Sequence, residues 1–209
     1  MDKGIVDYSL YLVTDRDLLG PKDLAATVEE AIRGGATLVQ IREKNLSTLE
    51  FYQLALVIKD ITQKHGIPFI VNDRVDIALA VNADGVHIGQ EDMPLSVTRK
   101  LLGPSKMIGV SVATLEQALA AQHGGADYLG IGAVFPTMTK DDADSVSLED
   151  LRQIKLEIKL PVVAIGGINK NNIRNVMATG VNGAAVVSAI IACSDPYEAA
   201  CNLRHVMKI

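Results

Sequence analysis

The chain is poor in cysteine, with only Cys193 and Cys201 in 209 residues. Both fall on what reads as one terminal helix, roughly 12 Å apart along its axis, which is too far for a disulfide within that helix. Two free, buried thiols are expected. Zinc-like spacing is missing as well, because His65, His87, His123 and His205 are scattered with no ligand partner nearby. Nor is there an excess of basic charge. Lys and Arg number 20 against 25 Asp and Glu, for a formal net charge of −5 and a pI near 5.4. That balance gives no electrostatic reason to expect nucleic acid or an anionic membrane as a partner, so any anionic ligand must be held by a local site. No run of about 18 apolar residues is present to span a membrane. The opening MDKGIVDYSLYLVTDRDLLG has no apolar stretch after a basic segment, so no signal peptide is read and a cytoplasmic location is expected. No Pro/Ser-rich linker or low-complexity stretch divides the chain.

At 48% hydrophobic and 22% charged, the composition is that of a globular protein rather than a disordered, collagenous or coiled-coil one. The length suits one domain, residues 1–209, and just reaches the smallest eight-unit α/β barrel. Short β-branched apolar runs alternate with longer segments of helical period, the pattern of repeated βα units around a parallel sheet. Eight strands are predicted at 10–14, 37–42, 68–72, 85–88, 107–112, 128–131, 162–165 and 184–187. Helices are predicted at 21–34, 47–64, 75–81, 95–102, 115–123, 148–157, 170–179 and 196–207. Ser47 three residues before Glu50, Thr114 before Glu116, and closing glycines at Gly34, Gly124 and Gly180 support several of these ends. The phrases GGATLV, NADGVHI, GGADYLGI and GVNGAAVV recur at helix-to-strand junctions. They favour a closed (β/α)₈ TIM barrel over an open doubly wound sheet.

In such a barrel the chemistry sits at the C-terminal strand ends. The second strand, VQIREK, places Gln40, Arg42 and Lys44 on one face at period two, with Val39, Ile41 and Glu43 on the other. Three long donors in a row suit an anion at the barrel mouth, and a salt bridge or solvated strand end is the plainer alternative. Asn72 and Asp73 end the third strand and Asp92 follows the fourth. Two carboxylates from neighbouring strand ends, with phosphate oxygens and water, would make a Mg²⁺ shell; as helix caps near Val75 and Pro94 they would need no metal. Ser111 lies on the fifth strand, and the loop at 137–145 brings Thr137, Thr139 and Lys140, either as phosphate clasp and lid or as an ordinary polar loop. Gly166 and Gly167 after strand seven would let the backbone approach a ligand, and a short helix could begin at Ser188, where this fold often builds a phosphate site. His87, within the fourth strand, reads as a hydrogen-bonded packing residue, having no evident carboxylate to orient it as a base. On these grounds Glu43 and Asp127 receive no role.

YLVTD, QIREK, NDRVDIALAVNADGVHIGQED, GVSV, DYLGIGAVFPTMTK, AIGGI and VVSAI together, in this order, resemble the thiamine-phosphate synthase family, also called thiamine-phosphate pyrophosphorylase. The resemblance spans nearly the whole chain. It implies a (β/α)₈ barrel that joins hydroxymethylpyrimidine diphosphate to hydroxyethylthiazole phosphate, releasing pyrophosphate and forming thiamine phosphate with Mg²⁺. It places the pyrimidine diphosphate on the segment Gln40, Ile41, Arg42, Glu43 and Lys44, with Asn72, Ser111 and Lys140. Of these, Lys140, Arg42, Lys44 and Ser111 would carry the chemistry. It gives Mg²⁺ to Asp73 and Asp92, and the thiazole phosphate to Thr137, Met138, Thr139, Gly167, Val187 and Ser188. The chain departs from the family pattern at Ala113, where a histidine often follows the serine strand, and at Asp141, where a second lysine often follows the first.

Partners implied are small-molecule substrates, with self-association into a homo-oligomer left open. A related thiazole tautomerase would share the barrel but have no use for the pyrophosphate set. A noncatalytic phosphate-binding barrel would bind without turnover. A sugar-phosphate epimerase is disfavoured, since only His87 among the histidines lies in a predicted strand.

Overall fold

The computed structural model describes residues 6–137 and 145–207. Eight strands, β1 (Leu10–Val13), β2 (Leu38–Ile41), β3 (Phe69–Asn72), β4 (Gly85–Ile88), β5 (Met107–Val112), β6 (Tyr128–Ile131), β7 (Val162–Ala164) and β8 (Gly183–Val186), pair in parallel in sequence order. β8 returns to β1 through Leu10 opposite Ala184 and Leu12 opposite Val186, so the barrel is closed. Around it run α1 (Leu24–Arg33), α2 (Thr48–Lys64), α3 (Val75–Ala80), α4 (Leu95–Leu102), α5 (Leu115–His123), α6 (Leu148–Glu157), α7 (Ile173–Met177), α8 (Ser188–Ile191) and α9 (Pro196–Met207).

Local chemistry starts several of these helices. Asp23 accepts from the Ala26 amide, Thr114 from the Gln117 amide, and Ser47–Glu50 and Ser147–Asp150 form reciprocal capping boxes. Helix α7 is shorter than its apolar period predicts, because the Asn169 and Asn172 side chains bond loop backbone ahead of it and hold that stretch out of the helix. The short α8 begins at Ser188, as expected. The cysteine expectation needs correction on two counts. Cys193 follows α8 and precedes α9, so the two thiols do not share a helix, and both are partly exposed rather than buried.

Strand alternation divides the interior in two. One set of side chains, with Leu12, Val39, Ile41, Val71 and Val86 among them, packs outward against the helices. The other fills the lumen: Tyr11 and Val13 from β1, Leu38, Ile70, Met107, Tyr128, Val163 and Ala185 from the strands that follow. Gln40, His87 and Ser111, polar members of the inward set, stand toward the C-terminal strand ends. The site grows from them.

Candidate active site

Gln40 is the inward residue of β2 one turn of the pleat above Leu38, and it is 4% exposed. Its Nε2 donates to the Tyr11 hydroxyl at 2.7 Å, which meets the Tyr128 hydroxyl at 2.9 Å. Tyr128 in turn meets His87 Nδ1 at 3.1 Å, and His87 Nε2 meets Ser111 Oγ at 2.8 Å. Five side chains from five strands thus form one hydrogen-bonded chain across the lumen. Burial pushes both phenols well above the usual tyrosine range, so each keeps its proton. Strand glycines make the space. A Cβ on Gly109 would lie 2.1 Å from Tyr128 Cζ and 2.4 Å from His87 Nδ1, and one on Gly130 would lie 2.9 Å from His87 Cε1.

The carboxylates stand beside this chain. Asn72 ends β3 and donates to Asp73, whose φ of 58° is a left-handed conformation that Asp tolerates better than most residues. Burial, and then the Asp92 carboxyl within hydrogen-bond reach, push the Asp73 carboxyl up to about 7, against the pull of Arg42. Asp92 Oδ2 accepts from the Gly89 amide at 2.6 Å and closes the turn after β4. Neither carboxylate is a helix cap: Arg74 and Pro94 hold the N-cap positions of α3 and α4, without side-chain cap bonds. Two crowded oxygen ligands fit a hard divalent cation such as Mg²⁺, whose charge relieves their repulsion while water and ligand oxygens complete its shell. Among the described residues no three or more His, Cys, Asp or Glu side chains gather into a metal-binding group.

Arg42 lies just past the end of β2, since the strand stops at Ile41 and the expected alternation does not run on to Lys44. Its guanidinium meets Asp15 at 3.3 Å and its backbone amide donates to Thr14 Oγ1 at 3.0 Å, so both contacts come from the end of β1. Arg42 is thus ion-paired in the unliganded chain, with a partner that strand pattern did not reveal. Lys44 is exposed. Ile41 is fully buried in the outer apolar layer, so only its backbone could face a ligand. Glu43 meets Arg16 at 3.3 Å with its side chain 3% exposed, and burial raises its pKa. Its Oε1 has no hydrogen-bond partner among the described residues.

Thr137, Gly167, Val187 and Ser188 line one narrow recess with Ile165 and Gly166. The glycine pair has a packing task that the sequence did not show. Gly166 (φ 103°) and Gly167 (φ 61°) lie against the segment after β6, where a Cβ on Gly167 would be 2.5 Å from the Pro136 carbonyl oxygen. The Phe135 amide donates to the Gly166 oxygen at 3.1 Å and locks the two loops together. Met138, Thr139, Lys140 and Asp141 lie outside the described residues, as does all of the expected lid except its ends, Thr137 and Ser145. At Ala113 the backbone amide donates to Gln117 Oε1 at 2.8 Å. An open groove of about 400 Å³ on the outer wall, lined by Asn169, Lys170, Cys193, Asp195, Glu198 and Asn202, contains none of the expected site residues.

Asp15, Tyr11 and Tyr128 were not legible as site residues. Tyr11 was the most accessible signal, an aromatic with a polar tip at an inward strand position, opposite strands whose inward positions are glycine.

The family model for thiamine monophosphate synthase matches residues 10–190. A thiamine-phosphate synthase of Clostridium tetani is 56% identical over 194 residues, covering 93% of each chain. One from Clostridium acetobutylicum is 59% identical over 186 residues, covering 89% of this chain and 88% of its own. Among solved structures, a thiamine phosphate pyrophosphorylase from Pyrococcus furiosus superposes with a TM-score of 0.90 at 47% identity, covering 97% of this chain and 96% of that one.

Proposed function

The chain belongs to the thiamine monophosphate synthase family and is a transferase of that kind, and we propose that its barrel mouth joins hydroxymethylpyrimidine diphosphate to hydroxyethylthiazole phosphate. The products are thiamine phosphate and pyrophosphate. One observation carries the assignment of the site: Gln40, Arg42, Asn72, Ser111 and the Asp73–Asp92 pair converge at the C-terminal end of one barrel, beside the recess lined by Thr137, Gly167, Val187 and Ser188.

Both substrates are phosphorylated, and a chain of net negative charge must hold them locally. Arg42 offers the diphosphate a planar donor fork, and Lys44 and Lys140 add point charges. Asn72 and Ser111 supply neutral hydrogen bonds. Asp73 and Asp92 would hold Mg²⁺, which supplies charge neutralisation for the departing diphosphate. The bond between the pyrimidine methylene and the diphosphate oxygen breaks with its electron pair going to oxygen. Arg42, Lys44 and Lys140 stabilise that charge as it grows. The electron-rich aminopyrimidine supports the cationic carbon until the thiazole nitrogen lone pair closes the new C–N bond. No protein nucleophile is required. On the thiazole side, Thr137, Met138, Thr139, Gly167, Val187 and Ser188 hold the phosphate and keep the nitrogen aimed at the carbon.

Residues 1–209 act as a single catalytic domain in the cytoplasm, with small-molecule substrates as partners and self-association left open. Among the described residues no helix is long and apolar enough to cross a membrane. The test is pyrophosphate release by purified protein with both substrates, with Mg²⁺ and then with EDTA, and with an Asp92→Ala control. Magnesium-dependent release coupled to thiamine phosphate, lost in the variant, is expected. Folded protein that binds thiazole phosphate without releasing pyrophosphate would instead be a tautomerase or a binding module. Lys140→Ala should lower kcat by about 10²-fold, or roughly 3 kcal/mol; a rise in KM alone would make Lys140 a uniform binder.

A further inference from the structure

We infer that Tyr128 and His87 are positioning residues that fix the direction of the Ser111 hydroxyl, so that Ser111 presents a proton to the substrate while the far end of the same chain, Gln40, presents an acceptor. This rests on the function proposed above for its ligand, the aminopyrimidine, and otherwise on the lumen chain itself.

Proton counting sets the direction. The Gln40 Nε2 amide nitrogen can only donate, so the Tyr11 hydroxyl accepts from it at 2.7 Å. Tyr11 has one proton, and its next neighbour is the Tyr128 hydroxyl at 2.9 Å. Tyr128, having accepted, gives its own proton to His87 Nδ1 at 3.1 Å. Nδ1 is then the lone-pair nitrogen and Nε2 carries the hydrogen, which it donates to Ser111 Oγ at 2.8 Å. The Ser111 proton is left over for the mouth. At the other end, the amide nitrogen of Gln40 is engaged with Tyr11, so the group it can offer a ligand is its carbonyl oxygen. A hydroxyl donor and an amide acceptor are the complement in kind of an aminopyrimidine, whose amino group donates and whose ring nitrogen accepts.

The barrel is built around this arrangement. His87 pairs with Gly109 in register, Gly109 with Tyr128, and Ser111 with Gly130. The imidazole and phenol occupy the space the two glycines leave, since a Cβ at either position would lie within 3 Å of one of those rings. Tyr11 and Tyr128 are 2% and 0% exposed, so no outside water competes for their protons.

Side-chain nitrogen NMR of the unliganded wild-type protein at neutral pH reads the tautomer directly, with the His87 signal assigned by its loss in His87→Asn. The Nε2–H form is expected. The Nδ1–H form or an imidazolium would overturn the proposal, and neither result depends on whether the protein turns over. A double-mutant cycle reads the consequence. Tyr128→Phe keeps the ring but removes the donor to Nδ1, and should lower kcat about tenfold in the wild-type background. In a Ser111→Ala background it should cost nothing further. Equal losses in both backgrounds would assign Tyr128 a packing role and overturn the relay. Tyr11→Phe removes the link through which Gln40 sets the direction, so the Nδ1–H form should become populated there; a His87 signal unchanged from wild type would show that the Gln40 end does not set it. If the wild type shows no turnover, the proposed function fails while the tautomer result stands.

Discussion

Asp73 and Asp92 lie within hydrogen-bond reach of each other at the mouth of the barrel, and Asp73 holds its proton to about pH 7 as a result of burial and this contact. The unfolded chain releases the same proton near the ordinary aspartate value of about 3.9. Between those two values the folded state binds more protons than the unfolded one. The stability this proton confers is complete below about pH 4 and is lost as pH rises through about 7. Melting temperatures of the protein in EDTA should carry a component that falls from about pH 5 to about pH 8, and Asp73→Asn should remove it. Asparagine keeps the shape and accepts the left-handed backbone. Magnesium should flatten the wild-type curve by binding the doubly ionised pair. A curve in EDTA that is the same for wild type and Asp73→Asn would show that the two carboxyls do not interact as described.

Arg42 is held at 3.3 Å by Asp15, with both side chains mostly buried. Asp15→Asn keeps the volume and removes the charge that aims the guanidinium. The expected result is a fall of about tenfold in kcat/KM for the pyrimidine diphosphate, equivalent to about 1.4 kcal/mol. The KM for the thiazole phosphate should not move. Loss of equal size for both substrates would mean that Asp15 supports the fold and not the aim of Arg42.

Gly109→Ala tests the packing of the lumen. In an ordinary position this exchange is neutral or stabilising, because alanine restricts the unfolded chain. Here the new methyl would sit 2.1 Å from Tyr128 Cζ and 2.4 Å from His87 Nδ1. Overpacking of this kind costs about 1–3 kcal/mol. Each of those should lower the melting temperature by roughly 2–4 °C in a chain of this size. Activity should fall more steeply than stability, since the displaced atoms lead to Ser111. An unchanged melting curve would refute the close packing.

Much of the fold was legible because its causes are local. The alternation of strand and helix, the capping boxes at Ser47–Glu50 and the short helix at Ser188 depend on neighbours a few residues apart, and each is found where its pattern stands. Asp73 and Asp92 were legible as a pair for a related reason, since successive strands of a barrel are adjacent and their ends must meet. Periodicity misled where side chains near the chain overrode it. Asn169 and Asn172 bond the loop backbone and delay α7, and β2 stops at Ile41, leaving Lys44 exposed.

By itself, then, the sequence determined the number and order of the βα units and which strand ends carry charge, because period, caps and turn residues act within a few residues of themselves. The tertiary structure alone decided what those groups touch. Tyr11 and Tyr128 are 117 residues apart, and Arg42 and Asp15 are 27 apart. They meet only after the barrel closes with one particular register between its strands. That register also turns Gly109 and Gly130 from weak strand residues into the space that seats His87.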